Sequence, residues 1–288
     1  MTAGAGPAGC LGVAHLPKCG GLAVRDALAS LEGSYTGPRY HDLQHFGDPQ
    51  LIAGLPEDKL GELARPEDLR RLAAQHRLVM GHVSVRSLMD AGCRAVAIQV
   101  REPRARLLSL YRYWQGEPEE VSRAWGMWGS SVVATAKLPL AGFLSAPAAW
   151  PAVDNALWRP VLGSGLPGTA GRARRARTPW LAARRYRAVR PHLSIVEWST
   201  RSDRFVERIC QAIGAERVPE LTRINTTVVR GEPQSIDAPT MAALEAATRS
   251  DTALLRRLMD DGALERRSPA ELDAEFTQTA GRLAFEIV

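Results

Sequence analysis

A chain of 288 residues with 45% hydrophobic and 24% charged side chains is globular in composition and long enough for a sizeable core, which excludes a disordered or low-complexity protein. Its formal net charge of +6 favours anionic partners such as nucleotide phosphates, sulfated or acidic substrates, or nucleic acid, although Arg-rich codon usage would give the same number with no functional bias. The four cysteines, Cys10, Cys19, Cys93 and Cys210, are scattered without zinc spacing, so no metal site and no disulfide framework is expected, and a reducing compartment is.

The first residues, "MTAGAGPAG", lack the basic start and long apolar core of a signal peptide. Residues 10–16, "CLGVAHL", read as a buried parallel strand bounded by Gly and Pro. After Gly20 and Gly21, the positions Val24, Ala27, Leu28 and Leu31 predict a helix with Arg25 and Asp26 outward. Residues 35–60 read as a long loop carrying "YHDLQHF". "PEDLRRLAAQH" (66–76) predicts a helix with Pro in its first turn, and "RLVM" a strand ending at Gly81-His82. "VRSLMDAG" predicts a short helix stopped by Gly92, and "RAVAIQV" (94–100) the clearest strand. Leu107, Leu110, Tyr111 and Trp114 then predict another helix. The most membrane-like stretch, 131–150, is interrupted by Lys137, Pro139 and Pro147, and is expected to be buried or loop-rich rather than a span. "DNALWRPVL" reads as helical up to Pro160, and residues 163–178 as a Gly- and Arg-rich linker. A basic helix (180–190), a strand (193–196), a helix (201–213) and a C-terminal helix (238–260) complete the pattern. Strands alternating with helices predict an α/β domain with a central, mainly parallel sheet, in which ligands bind beyond the C-terminal strand ends.

Three chemistry-bearing stretches fall at such ends. "HLPKCGG" places Lys18 before two glycines at a strand–turn–helix junction, where backbone N–H groups stabilise an anion. It is not a Walker A loop, in which Lys follows the second glycine, and a tight turn with a surface lysine would look the same. "VREPRARLLSLY" puts Arg101 at a strand end and Ser109 two turns into the next helix, a pair able to converge on one phosphate. "VMGHVSV" puts His82 after a third strand, where a neutral imidazole could take a proton near pH 7.

In this order and spacing the three stretches resemble the PAPS-dependent sulfotransferases, in particular the branch containing heparan sulfate 2-O-sulfotransferase and related carbohydrate enzymes. "HLPKCGG" is similar to that family's 5′-phosphosulfate loop, "VREPRARLLSLYRYW" to its 3′-phosphate motif, and "GHVS" to the segment carrying its catalytic histidine. "DNALWRPVLG", "SIVEWSTRSDRFVERICQAIG" and "TRINTTVVR" are weaker echoes, and the resemblance fades beyond about residue 230. It implies a P-loop-like three-layer α/β fold and a single domain over 1–288. The nucleotide-binding core would span about 10–115 and 190–230, with an acceptor-side insertion at about 116–180 and C-terminal helices at about 236–288. The cofactor it implies is 3′-phosphoadenosine 5′-phosphosulfate (PAPS), which leaves as PAP, with no metal.

By the same resemblance, Lys18, Cys19, Gly20, Gly21 and Leu22 would hold the phosphosulfate, Arg101 and Ser109 the 3′-phosphate, and Arg223 and Thr226 other parts of the nucleotide. His82 would be the base and Lys18 would stabilise the leaving oxygen. The sequence departs from the pattern at Cys19 and at Leu22-Ala23, where the family carries Thr and Thr-Ser, so hydroxyl donors are missing. Glu102 replaces an Asp and is expected to affect helix capping rather than chemistry.

His41 and His45 could line the acceptor side, and Trp125 and Trp128 could stack on a sugar; solvated loop histidines and core tryptophans are the plainer readings. The Arg-rich stretch 172–190 reads as a solvated helix face with a flexible lead-in, or as a docking surface for an anionic acceptor. The expected protein is a cytoplasmic sulfotransferase acting on a hydroxyl of a carbohydrate, glycolipid or natural product. Nucleic acid is not an expected partner, and oligomeric state is not legible. Two alternatives stand beside it: a kinase-like nucleotide enzyme, which would need a hydroxyl residue after the loop lysine, and a non-catalytic protein binding anions or nucleic acid through its arginines.

Overall fold

The computed structural model describes residues 9–36, 66–118, 132–149, 153, 156–162, 179–222 and 232–288. Strand β1 (Leu11–Ala14) turns into helix α1 (Gly21–Ala29), which leads to the short edge strand β2 (Ser34–Thr36). Helix α2 (Pro66–Gln75) feeds β3 (Leu78–Gly81), α3 (Val85–Asp90) feeds β4 (Ala95–Val100), and β4 opens into α4 (Pro103–Gly116). Then come α5 (Leu140–Ser145), α6 (Trp158–Leu162), α7 (Pro179–Val189), β5 (Leu193–Trp198) and α8 (Ser202–Ile213). The chain closes with β6 (Gln234–Ile236), α9 (Ala238–Asp260), α10 (Pro269–Arg282) and β7 (Phe285–Ile287).

Strands β2-β3-β1-β4-β5 form one parallel sheet in that order, with Leu11 of β1 opposite Leu78 of β3 on one side and Ala95 of β4 on the other. Both faces are covered, which is why β1 and β3 are buried along their whole length and read as continuous apolar runs. Alternate residues divide between the faces. Leu11, Val13, Leu78, Met80, Ala97 and Ile195 pack with α1 and α8, while Val79, Val96, Ile98 and Val196 join Leu88, Trp158, Val161 and Leu255 from the helices opposite. The result is a three-layer α/β arrangement, as expected. A second apolar cluster ties α4 to α5, α9, α10 and β7.

Local signals account for the helix starts. Asp237 caps α9 through the Thr240 N–H at 2.9 Å, and Ser268 and Glu271 form a reciprocal capping box on α10. Glu102 caps α4 although Glu is a weaker cap than Asp. Its carboxylate accepts from the Ala105 N–H at 2.6 Å, with Pro103 at the helix start.

Four expectations need correction. β2 lies where a loop was expected, since three residues carry no readable period. Arg25 is not outward: its side chain is 3% exposed and pairs with Asp26 at 3.2 Å. Helix α6 continues through Pro160 to Leu162, because Pro160 sits in the first turn, where its missing N–H removes no helical bond. The start of α6 is held from α9, where buried Asp251 accepts from the N–H groups of Leu157 and Trp158 at 3.1 and 2.7 Å. Last, a parallel β6–β7 pair lies in the C-terminal region, where only helices were expected. The four cysteines are buried free thiols, with Cys10 and Cys93 facing each other at 3.6 Å. Among the described residues no helix is long and apolar enough to cross a membrane. Most of the expected 35–60 loop and the linker at 163–178 lie outside the described residues.

Arg112 of α4 anchors the C-terminal sheet. Its guanidinium donates to the carbonyls of Leu283 and Ala284 at 2.9 and 3.0 Å and lies 4.3 Å from the Phe285 ring, beside the left-handed turn at Ala284 (φ 55°). Arg112→Met is expected to destabilise the fold by about 3 kcal/mol, because charge-assisted bonds are lost and the Leu283 carbonyl loses its donor, while the Ala284 carbonyl keeps the Gln234 N–H at 3.0 Å. Urea unfolding measures this, and an unchanged midpoint would show that the β6–β7 pair is held by packing alone.

Candidate anion-binding and proton-transfer site

β3, β1 and β4 are neighbours in the sheet, so His82, Lys18 and Arg101, each just beyond one of these strands, emerge at one edge. The central member is the turn from β1 to α1. Lys18 and Gly20 both take left-handed backbone conformations, with φ of 65° and 82°. Glycine adopts this freely, whereas a lysine there is uncommon and strained. The turn is closed by the Cys19 N–H, which donates to the Leu16 carbonyl at 3.3 Å. Gly20 occupies the cap position of α1 with no side-chain cap, so the first N–H groups of α1, from Gly21 and Leu22 onward, face the edge without a helical acceptor.

The Lys18 ammonium lies over the Tyr113 ring of α4, 4.4 Å from its centroid. Burial, and secondly the nearby Arg101 cation, lower its pKa to about 8. Lys18 is therefore still charged at neutral pH but holds its proton loosely.

The Cys19 side chain points the other way. It is 1% exposed, belongs to the apolar cluster beneath the sheet edge, and its thiol is pushed up to about 12 by burial. Position 19 was expected to lack a hydroxyl donor and to offer the anion its N–H; here the side chain packs inward and the N–H closes the turn on the Leu16 carbonyl.

Arg101 is largely buried and already engaged. It donates to Thr279 Oγ1 of α10 at 2.9 Å and, at the limit of hydrogen bonding, to the Lys18 carbonyl at 3.5 Å. Its Nε lies 3.6 Å from Glu275, which Arg267 binds more closely at 2.6 Å. Burial, the largest influence, lowers the Arg101 pKa, while Glu275 raises it. Ser109 is buried two turns into α4, and no hydrogen bond joins it to Arg101 among the described residues. Arg106, between them, is fully buried, and its guanidinium has no hydrogen-bond partner among the described residues; it acts electrostatically on the Cys19 thiol.

His82 completes the edge. Its Nδ1 lies 2.6 Å from the His15 carbonyl. A carbonyl only accepts, so Nδ1 carries the proton and the lone pair of the neutral ring is on Nε2.

The structure thus brings Lys18, Gly20, Gly21, Leu22, Arg101 and His82 to one edge. Sequence reasoning missed Tyr113, Glu275, Thr279, Arg267 and the part played by His15. The α10 residues carried no motif, and only their position against Arg101 marks them. His41, His45, Trp125, Trp128, Arg223 and Thr226 lie outside the described residues. Comparison of the chain with protein-family models, curated proteins and solved structures finds no match.

Two expected outcomes follow from this geometry. Arg101→Gln removes the second cause of the Lys18 shift but not the first, so Lys18 should titrate above about 8 yet below an exposed lysine. Lysine NMR titration checks the sign, and an unmoved pKa would leave burial as the whole cause. Cys19→Thr places a hydroxyl among apolar groups and should lower stability by about 1–2 kcal/mol. It should leave anion affinity within about twofold, as urea unfolding and pyrophosphate titration would show; a clear gain in affinity would mean that position 19 does face the anion.

Proposed function

We propose that the chain is a PAPS-dependent sulfotransferase with a P-loop-like nucleotide site, moving a sulfuryl group to a hydroxyl of a carbohydrate, glycolipid or natural-product acceptor. The observation that carries the reading is the order of the three groups along one sheet edge: a histidine with its lone pair on Nε2, then a lysine beside a helix N-terminus, then a buried arginine. That order separates a proton acceptor on the β3 side from two cations on the β1 and β4 sides. A hydroxyl acceptor and an anionic donor need the same separation for in-line transfer.

The residues fit such a donor. When bound, PAPS supplies the sulfuryl group and departs as PAP. The N–H groups at the start of α1 and the Lys18 ammonium would hold its phosphosulfate end, and Arg101, exchanging Thr279 and Glu275 for phosphate oxygens, its 3′-phosphate. Lys18 leaves Tyr113 to meet negative charge on the departing oxygen; with a pKa of about 8 it can shift its proton toward that oxygen or simply stabilise it. His82 Nε2 takes the acceptor hydroxyl proton as the new oxygen–sulfur bond forms, and the His15 carbonyl holds the opposite proton throughout. A cytoplasmic setting belongs to this reading and accords with four free thiols. The Cys19 position speaks against a kinase-like alternative, because a buried thiol cannot hold magnesium as a P-loop hydroxyl does.

Thermal unfolding with PAP, ATP-Mg and adenosine 5′-phosphate tests the reading. PAP at saturation should raise Tm by several degrees, and the other two by little. Lys18→Ala and Arg101→Ala should each abolish the PAP response, while His82→Ala keeps it and loses turnover. No response to PAP at millimolar concentration would sink the proposal.

A further inference from the structure

His15 is the last residue before the loop turns, and it is engaged on three sides. Its main chain bridges β1 to the end of β3: the N–H donates to the Gly81 carbonyl at 2.8 Å, and the carbonyl accepts from His82 Nδ1 at 2.6 Å. Its ring lies flat against the His82 ring, centroids 4.0 Å apart and planes within 15°. The far edge of the same ring rests on Gly21, where a Cβ would fall 1.8 Å from His15 Nε2 and 1.9 Å from Cδ2. Only a glycine at 21 leaves room for it. His15 is 7% exposed, so its ring sits as a filling between Gly21 and His82 rather than as a solvent-facing group.

We propose that His15 is the positioning residue of the site, with its ring keyed into Gly21 on one side and backing His82 on the other, so that the anion loop and the proton acceptor are held as one unit. This rests on His82 as the base and on the loop as the anion site, and adds a physical link between them. The carbonyl favours the proton on Nδ1 only while the ring keeps Nδ1 turned toward it, and a hydrogen bond at one nitrogen does not by itself fix the plane of the ring. The stacked imidazole removes that freedom, because a rotated His82 ring would collide with the plane beneath it or forfeit the contact. Gly21 belongs to the first turn of α1, so a shift of that turn when an anion binds is passed through the His15 ring to the plane of His82. His15 need not touch substrate to do this.

The test uses the full chain labelled with 15N at histidine, the His82 signals being assigned by their loss in His82→Gln. The native chain should show one His82 tautomer, with the proton on Nδ1. His15→Leu keeps the backbone carbonyl but removes the flat support, and the His82 ring should then populate both tautomers. His15→Phe restores a planar ring and should restore the single tautomer. With PAP as the probe, saturation should shift the His82 signals in the native and Phe chains and leave them nearly still in the Leu chain, while PAP affinity changes less than about threefold. Turnover, once an acceptor is in hand, should fall on the order of a hundredfold in the Leu chain through kcat rather than KM, as for a slightly misplaced catalytic group. A folded His15→Leu chain with the native tautomer, or a folded His15→Phe chain with mixed tautomers, overturns the proposal. The Phe variant decides the matter if the Leu variant does not fold. A native chain that ignores PAP would defeat the cofactor reading instead, and the tautomer comparison, which needs no ligand, would still decide the role of His15.

Discussion

Between Ala14, the end of the central strand, and Gly21, the start of α1, the chain must leave the sheet edge, reverse and lay a helix back on one face within six residues. A right-handed backbone alone does not turn so sharply, and the left-handed conformations at Lys18 and Gly20 supply the reversal. At the lysine this costs about 1–3 kcal/mol. Three contacts offset it: the Cys19 N–H on the Leu16 carbonyl, the Cys19 side chain buried in the core, and the Arg101 guanidinium reaching the Lys18 carbonyl. The same contacts decide which way each side chain leaves the turn. Cys19 goes down, and Lys18 goes out toward Tyr113. Local strain and the position of the loop cation therefore have one cause.

Gathering cations at that edge creates an electrostatic problem. Arg101 lowers the tendency of Lys18 to hold a proton, and burial acts in the same direction on both. Glu275 supplies the balance, but not evenly: it sits 2.6 Å from Arg267 and 3.6 Å from Arg101. The closer partner keeps the carboxylate satisfied if Arg101 turns away. An arriving anion would then exchange with the longer contact and with the Thr279 hydroxyl, rather than break the shorter pair. A fully satisfied Arg101 would be costly to redirect, and a wholly unpaired one costly to bury.

How much of this the sequence showed follows from the range of the interactions. β1, β3 and β4 were legible because a strand covered on both faces must be apolar throughout, and their ends marked Lys18, His82 and Arg101 without any coordinates. β2 was not, since Ser34–Thr36 is an edge strand of three residues and takes its register from β3. Arg25 misled because a charged residue on a helix is usually solvated, and only the surrounding chain buries it. Thr279 was out of reach for another reason: it meets Arg101 across 178 residues, and on its own helix it looks like an ordinary polar position. The inward turn of Cys19 was also hidden, because it follows from the sign of one backbone angle at Lys18.

The sheet alone does not make a site of these residues. Parallel pairing fixes where strand ends lie, to within the register of β3, β1 and β4, yet the proposed proton transfer and charge stabilisation would depend on where Nε2 of His82 and Nζ of Lys18 point. Those directions are set by groups to which the proposal gives no chemical step. Tyr113 gives the ammonium a face to rest on, and the His15 carbonyl orients the imidazole. Thr279 and Glu275 hold the guanidinium. Each supporting group comes from a different element from the one it supports: α4 for the β1 loop, β1 for the end of β3, and α10 for the end of β4. Cross-support of this kind ties the C-terminal helix, which no motif announced, to the first strand of the chain. The α10 layer therefore does more than cover the core, because loosening α10 would release Arg101 and, through the Lys18 carbonyl, the strained turn itself.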